Sequence, residues 1–390
     1  MSKEYTEDIE NDNDEIIEDI APFETSSIVV YSRDWTIETM FSQIISKNID
    51  LNPKYQRRNA WNDDKRSKLI ESIIIGYPIP EIVLAENPLQ KKSFAVIDGK
   101  QRLLTIAGFI NPEEFGYWDN GGKLIKLTVL KNLVGYSYND IKSNEKLSNE
   151  FREFLNAALR CTIITNFQAN DVLYDIFYRL NSGSVSLSTQ ELRQVLNRGE
   201  FADFLIETTN SIQPLHLVMN LSEPDKRLRD IEVLLRCLSM IEFSNTYSGN
   251  LKQFLDGTMA IMTKEWESYK TKVATIYHLI NDSIELLKDI FGDYRFVGRK
   301  FTNDKPESRF NRVILEAQLF FFTRLPKELI NENTIDKFKI GFINLCQNDS
   351  EFRSSVESST KNIDSYRVRF QKLQHLMNES FGSNLNINPF

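Results

Sequence analysis

The chain has 390 residues, 41% hydrophobic and 26% charged, an ordinary balance for a globular protein with room for two cores. It holds no apolar run of about 18 residues, which argues against a membrane-spanning helix, and its acidic start lacks the apolar core of a secretory signal. The net charge of −8 sits almost wholly in residues 1–24, which carry ten acids against Lys3, so the remainder is close to neutral.

Three scattered cysteines, Cys161, Cys237 and Cys346, form neither a metal spacing nor an even disulfide framework, so a reducing cytoplasm is the expected compartment. Residues 1–25 read as a flexible acidic tail. Two roles stand open for it: a solubilising arm, or a nucleic-acid mimic that competes for a basic surface.

A strand is expected over 27–32 and an amphipathic helix over 36–45. The extended run 51–61 then sets Lys54, Arg57 and Arg58 beside Tyr55 and Trp61. That mixture suits phosphate or nucleic-acid contact as well as a solvated loop. A helix starts near Asn62, carries the apolar stripe Leu69, Ile70, Ile73 and Ile74, and ends at Gly76. Pro78 and Pro80 lead into a strand over 82–85.

The next strand and turn carry the densest chemistry of the chain. Phe94 to Ile97 is apolar throughout, as in a strand covered on both faces. Asp98, Gly99, Lys100, Gln101 and Arg102 follow, and then an apolar helix begins. Gly99 permits a sharp turn or a close backbone approach, and the helix start offers N–H groups to an anion. The alternative is that Asp98 and Arg102 pair to brace the turn. Further strands are expected over 124–130 and 161–165, around a helix from 145 to 158. A helix over 170–180 is followed by a break at 181–184, and Ser188 with Glu191 forms a capping box for another helix. Arg179, Asn181, Glu191 and Arg193 crowd one loop.

From residue 200 onward helical periodicity dominates, most clearly over 231–241, 251–262, 276–291, 312–325 and 366–381. Arg295, Arg299, Lys300, Lys305, Arg309 and Arg312 form a basic run that reads as a solvated face or as a contact for DNA, RNA or protein. No phosphate-binding loop of the Gly-x-x-x-x-Gly-Lys type occurs. His216, His278 and His375 lie far apart, and Pro224-Asp225 lacks the Asp/Glu-x-Lys element of a restriction-type nuclease. The chain is therefore not expected to cut nucleic acid by itself.

Taken together, Tyr55-Gln56-Arg57 with Trp61, the 71–80 segment, Ile97 to Leu103, and the segments 177–183 and 187–193 resemble the DUF262 family. That family is related to the N-terminal part of GmrSD-type modification-dependent restriction enzymes and has a ParB/sulfiredoxin-like core. The resemblance implies an α+β fold, with a small mixed domain over 26–200 followed by a mainly α-helical domain over 201–390. It also implies a nucleotide-linked role in defence against phage, without the C-terminal HNH-type nuclease module that family members often carry. The family's Asp-Gly-Gln-Gln-Arg motif is associated with NTP binding and hydrolysis, and Lys100 replaces its first Gln.

On that resemblance Asp98, Gln101 and Arg102 are the candidate catalytic residues. Gly99, Lys100, Gln56, Arg57, Asn181 and Arg193 are the candidate nucleotide contacts, and Asp98 would hold Mg²⁺. The nucleotide could be GTP, ATP or CTP, and modified DNA and a nuclease or toxin acting in trans are the other expected partners. Two function classes stay open: an NTP-binding, NTP-hydrolysing sensor, and a non-catalytic ParB-like module that binds DNA or controls a partner effector.

Overall fold

A computed structural model describes residues 28–51, 61–87, 90–167, 173, 176, 188–358 and 360–383. The described residues form two compact units that divide between Leu196 and Asn197. The first is α+β and the second mainly helical.

In the first unit β1 (Val29–Thr36) precedes α1 (Ile37–Ile45) and the short β2 (Ile49–Asp50). Next come α2 (Asp63–Ile75), β3 (Ile82–Glu86), β4 (Phe94–Asp98) and α3 (Lys100–Ile110). After them stand α4 (Tyr138–Ser143), α5 (Ser148–Asn156), β5 (Ala158–Thr165) and α6 (Thr189–Leu196). The five strands make one mixed sheet in the order β1-β5-β3-β4-β2. β1 pairs antiparallel with β5 and β3 with β4, while β5–β3 and β4–β2 are parallel.

The two faces of this sheet explain the unbroken apolar runs of β3 and β4. Ile82, Leu84, Phe94 and Val96 join the main core beneath α1, α2, α3 and α5. Val83, Ala85 and Ile97 pack on the other face with Ile164 and with Leu192 of α6. Burying each such side chain is worth roughly 1.5–3 kcal/mol, so the sheet is anchored from both sides.

Helix ends follow the sequence signals. Thr36 and Asn62 cap α1 and α2 through their side chains, and Gly76 closes α2 in the left-handed conformation at φ +81°. The expected strand over 124–130 is not one. Those residues run as a loop held by a polar stripe on α2 at every fourth position. Asp63 accepts from the Asn120 N–H at 3.1 Å, Ser67 Oγ accepts from Ile125 at 3.0 Å, and Glu71 accepts from Thr128, Val129 and Leu130. A carboxylate that takes three consecutive N–H groups replaces the sheet partner those groups would otherwise need. The expected 145–158 helix is likewise shorter: a 3-10 turn over Glu145–Leu147, then α5, with Ala158 already in β5.

The second unit contains α7 (Glu200–Thr209), α8 (Pro214–Val218), α9 (Arg229–Phe243), α10 (Leu251–Lys264) and α11 (Trp266–Phe291). A small hairpin, β6 (Phe301–Thr302) with β7 (Lys305–Pro306), precedes α12 (Arg312–Phe322), α13 (Glu332–Asn348), α14 (Ser350–Glu357) and α15 (Ile363–Phe381). α12 is buried nearly all round and forms the spine of the unit. Its Glu316 accepts from Arg236 of α9 and, at 2.8 Å, from the Tyr366 hydroxyl of α15. Among the described residues no helix is long and apolar enough to cross a membrane.

The basic run 295–312 does not make one surface. Arg295 pairs with Asp293 at 2.8 Å and Lys300 with Glu307 at 2.8 Å. Arg299 is buried and donates to the Val297 and Val218 carbonyl oxygens, both at 3.1 Å. Lys305 and Arg309 are exposed and Arg312 is half-buried. The hairpin and its flanking turns send these side chains to different neighbours, so neither a solvated face nor a contact surface takes in the whole run.

Candidate functional site

The site is built where β4 hands over to α3. Val83 pairs with Asp98 and Leu84 with Val96, so β4 carries one extra residue, Ile97, immediately before the turn. A bulge at such a place re-aims the residue that follows. Gly99 then takes φ +94° at the N-cap of α3, with no side chain capping the helix. A Cβ there would lie 2.4 Å from Ile82 Cδ1 and 3.1 Å from Arg102 Nη2. Glycine is thus required both for the backbone angle and for the close packing.

Arg102 points back over the turn. Its Nη2 donates to Asp98 Oδ2 at 2.8 Å and to the Glu81 carbonyl oxygen at 3.0 Å. Asp98 Oδ1 has no hydrogen bond among the described residues, and Arg102 Nε is shielded without a partner. Gln101, half-buried, has its Oε1 shielded and without a partner, while its carbonyl oxygen accepts from Thr105 Oγ1 at 2.7 Å. Lys100 opens the helix and is buried. The first turn itself holds no acidic residue, and the nearest carboxylate is that of Asp98, just before the Gly99 N-cap.

Arg193 stands on α6, which packs against β4 on the face of the sheet opposite the main core and α3. It is buried and donates to Gln190 Oε1 at 2.6 Å, one turn earlier on α6. Ser188 caps α6, accepting from the Glu191 N–H at 3.1 Å while Glu191 reaches back to the Ser188 N–H. Gln56, Arg57 and Asn181, named from sequence as contacts, lie outside the described residues, as do the 52–60 part of the aromatic-basic run and most of the 170–187 segment. Trp61 does lie inside them and packs against the main core with the Lys65 ammonium 4.4 Å from its ring centre.

Some contributors were not named from sequence. Glu81 supplies the carbonyl that holds Arg102, and its carboxylate accepts from Thr162 Oγ1 of β5 at 2.8 Å. Ile82 closes over Gly99. Gln190 and Gln194 of α6 are buried, and Gln190 Nε2 with both polar atoms of Gln194 are unpartnered among the described residues. Their signal was weak: two amides on a helix whose apolar positions already accounted for its packing.

Two ligand chemistries can be tested on this geometry. For a phosphate group the residues fit, since the glycine turn, the uncapped helix start and Arg102 present donors and positive charge together. For a divalent cation the fit is narrower. Among the described residues no three carboxylate, histidine or cysteine groups gather in one place, so Asp98 alone could serve. Magnesium commonly takes one or two carboxylates plus the substrate's own phosphates, so a single Asp98 oxygen is compatible with it.

No curated protein and no solved structure matches the chain. One family model does, over residues 37–196: that of the GmrSD restriction endonuclease, N-terminal domain. The match begins at α1 and ends at the last residue of α6, so it takes in β2 through β5 and the Asp98 turn. Over residues 37–196 the chain is therefore similar to the N-terminal domain of the GmrSD restriction endonuclease.

Proposed function

We propose that this chain is the nucleotide-binding regulatory component of a restriction-like defence system, and that the Asp98–Arg102 turn takes the nucleotide's phosphates. The observation that carries this reading is the left-handed Gly99 at the uncapped start of α3, with Arg102 folded over it. Backbone N–H groups of the first helical turn would hold phosphate oxygens, and Arg102 would neutralise their charge, each charge-assisted bond contributing about 1.5–3 kcal/mol. Gln101, whose amide oxygen has no partner, would orient a water or a ribose hydroxyl. Asp98 Oδ1 would hold Mg²⁺ together with the phosphates, where the ion's part is charge neutralisation.

A second reading has its own support. Arg102 already satisfies Asp98 and Glu81, as expected of a purely structural brace. On that reading the domain is a non-catalytic module that restrains or recruits a nuclease or toxin in trans, or binds modified DNA. Phosphate release from each of the four NTPs, with and without DNA, separates the two. The first reading expects release that disappears in Asp98→Ala and Arg102→Ala, whereas the second expects none in any protein.

A further inference from the structure

The register of the sheet carries a line of polar side chains away from the Asp98 turn. Val83 packs on the α6 face, so Asp98, its partner in β4, stands on that face too. On its other side Val83 pairs with Thr162 of β5, and Thr162 pairs with Ser32 of β1. Two residues along, Arg160 of β5 and Asp34 of β1 are partners on the same face. The apolar cluster beneath α6 ends at Val83 and Ile164. Beyond it Ser32, Asp34 and Arg160 are exposed and Thr162 is half-buried. Beside the turn, then, this face of the sheet is open and polar.

Glu81 joins the turn to this open face. Its carbonyl oxygen accepts from Arg102 Nη2 at 3.0 Å, and the same nitrogen holds Asp98. Its exposed carboxylate turns the other way, toward β5, where Oε2 accepts from Thr162 Oγ1 at 2.8 Å. Oε1 is left to accept from something else. On the far side Arg160 donates to Asp34 Oδ1 at 3.2 Å. That hydrogen bond, and then the charges of Asp34 and Glu81, hold the Arg160 guanidinium above its ordinary value. The cation offsets part of the repulsion that a carboxylate so near a phosphate site would exert. Neighbouring strands lie about 4.8 Å apart, so Thr162 is roughly 10 Å from Asp98 across β3. That is the span between the outer phosphates and the sugar of a nucleoside triphosphate.

We propose that Glu81 is the sugar-recognising residue of the site, its Oε1 accepting from the ribose 2′-hydroxyl of the nucleotide whose phosphates the Asp98–Arg102 turn takes. This rests on the phosphate reading of that turn. A hydroxyl donating to a carboxylate is a charge-assisted bond, among the stronger kinds. Acidic side chains hold the ribose in dinucleotide sites by the same chemistry. Thr162 fixes the direction of the carboxylate, and the pairing of β3 with β5 fixes Thr162. A 2′-deoxy sugar offers Oε1 no donor, so the site separates ribonucleotides from deoxyribonucleotides.

Equilibrium titration of the full-length chain with each of the four ribonucleoside triphosphates, its 2′-deoxy counterpart and inorganic tripolyphosphate tests this. The wild-type chain should bind the preferred ribonucleotide about tenfold tighter than its 2′-deoxy form, the scale of one hydrogen bond to a charged group. Glu81→Ala should erase that difference and leave tripolyphosphate binding unweakened, since the backbone carbonyl still holds Arg102. Thr162→Val, which keeps the carboxylate but not its anchor, should narrow the difference. The wild-type sugar comparison needs no variant and stands if either folds poorly. Equal binding of the two sugars by wild type, or loss of tripolyphosphate and nucleotide alike in Glu81→Ala, would overturn the inference and leave the phosphate site standing. No binding of either by wild type would overturn the phosphate reading, and this inference with it.

Discussion

Arg102 Nη2 lies 2.8 Å from Asp98 Oδ2, and the same nitrogen reaches the Glu81 carbonyl oxygen at 3.0 Å. One guanidinium therefore ties the first turn of α3 to the end of β4 and to the residue before β3. A lysine keeps the charge, but its ammonium ends one bond short of the Nη2 position from which both bonds are made. Arg102→Lys should cost on the order of 1–3 kcal/mol, read as a lower urea midpoint at unchanged slope. An unchanged midpoint would mean that the bridge contributes nothing.

Gly99→Ala should be costly for two independent reasons: the positive φ of +94° and the 2.4 Å approach of Ile82 Cδ1. Strain of this kind costs of order 1–3 kcal/mol. Relieving the contact alone, by pairing Gly99→Ala with Ile82→Val, should recover only part of the loss, because the backbone strain stays. Thermal unfolding of the two variants checks this, and full recovery would place the whole cost in the side-chain clash.

Much of this turn was legible in the sequence, because its requirements are local. A run of apolar residues with a glycine and then a helix pattern specifies strand, left-handed residue and helix without reference to distant parts. The caps at Asn62, Gly76 and Ser188 were legible for the same reason. The 124–130 loop was not, since its alternating Ile125, Leu127 and Val129 suit a strand equally well. What decides it is the Glu71 carboxylate, 57 residues away in sequence from Thr128. The basic run 295–312 misled similarly, because proximity in sequence says nothing about which way a two-residue hairpin turns its side chains.

Glu71 gives a pH prediction. Burial alone would push its carboxyl up, but backbone hydrogen bonds from Leu130, Val129 and Thr128, with the Thr128 hydroxyl, outweigh it and hold the group below the usual range. A carboxyl lowered in the folded state stabilises above its unfolded value of about 4.3, and that contribution fades as pH falls through the folded value. Glu71→Gln should therefore be less stable than wild type at neutral pH, with the difference shrinking as the solution is acidified below about pH 4. A difference that stays constant with pH would show that Glu71 acts without its charge.

In the helical unit, Glu316 is buried between Arg236 and Tyr366. Glu316→Leu leaves a guanidinium and a phenol without their acceptor and should cost about 3–5 kcal/mol. Adding Arg236→Met and Tyr366→Phe should restore part of it, since apolar groups of similar size leave no polar atom unmet. Chemical denaturation of the single and triple variants measures the difference, and a triple variant no better than the single would contradict this account of the cluster.

The central claim is that the Asp98–Arg102 turn binds nucleotide phosphates, and equilibrium titration of the full-length chain with each of the four NTPs, with and without Mg²⁺, tests it most directly. The account predicts saturable binding of at least one NTP, weakened in Arg102→Ala and strengthened by Mg²⁺ only while Asp98 is present. Absence of binding by the wild-type chain to all four, or binding that Arg102→Ala leaves intact in a folded protein, would contradict it.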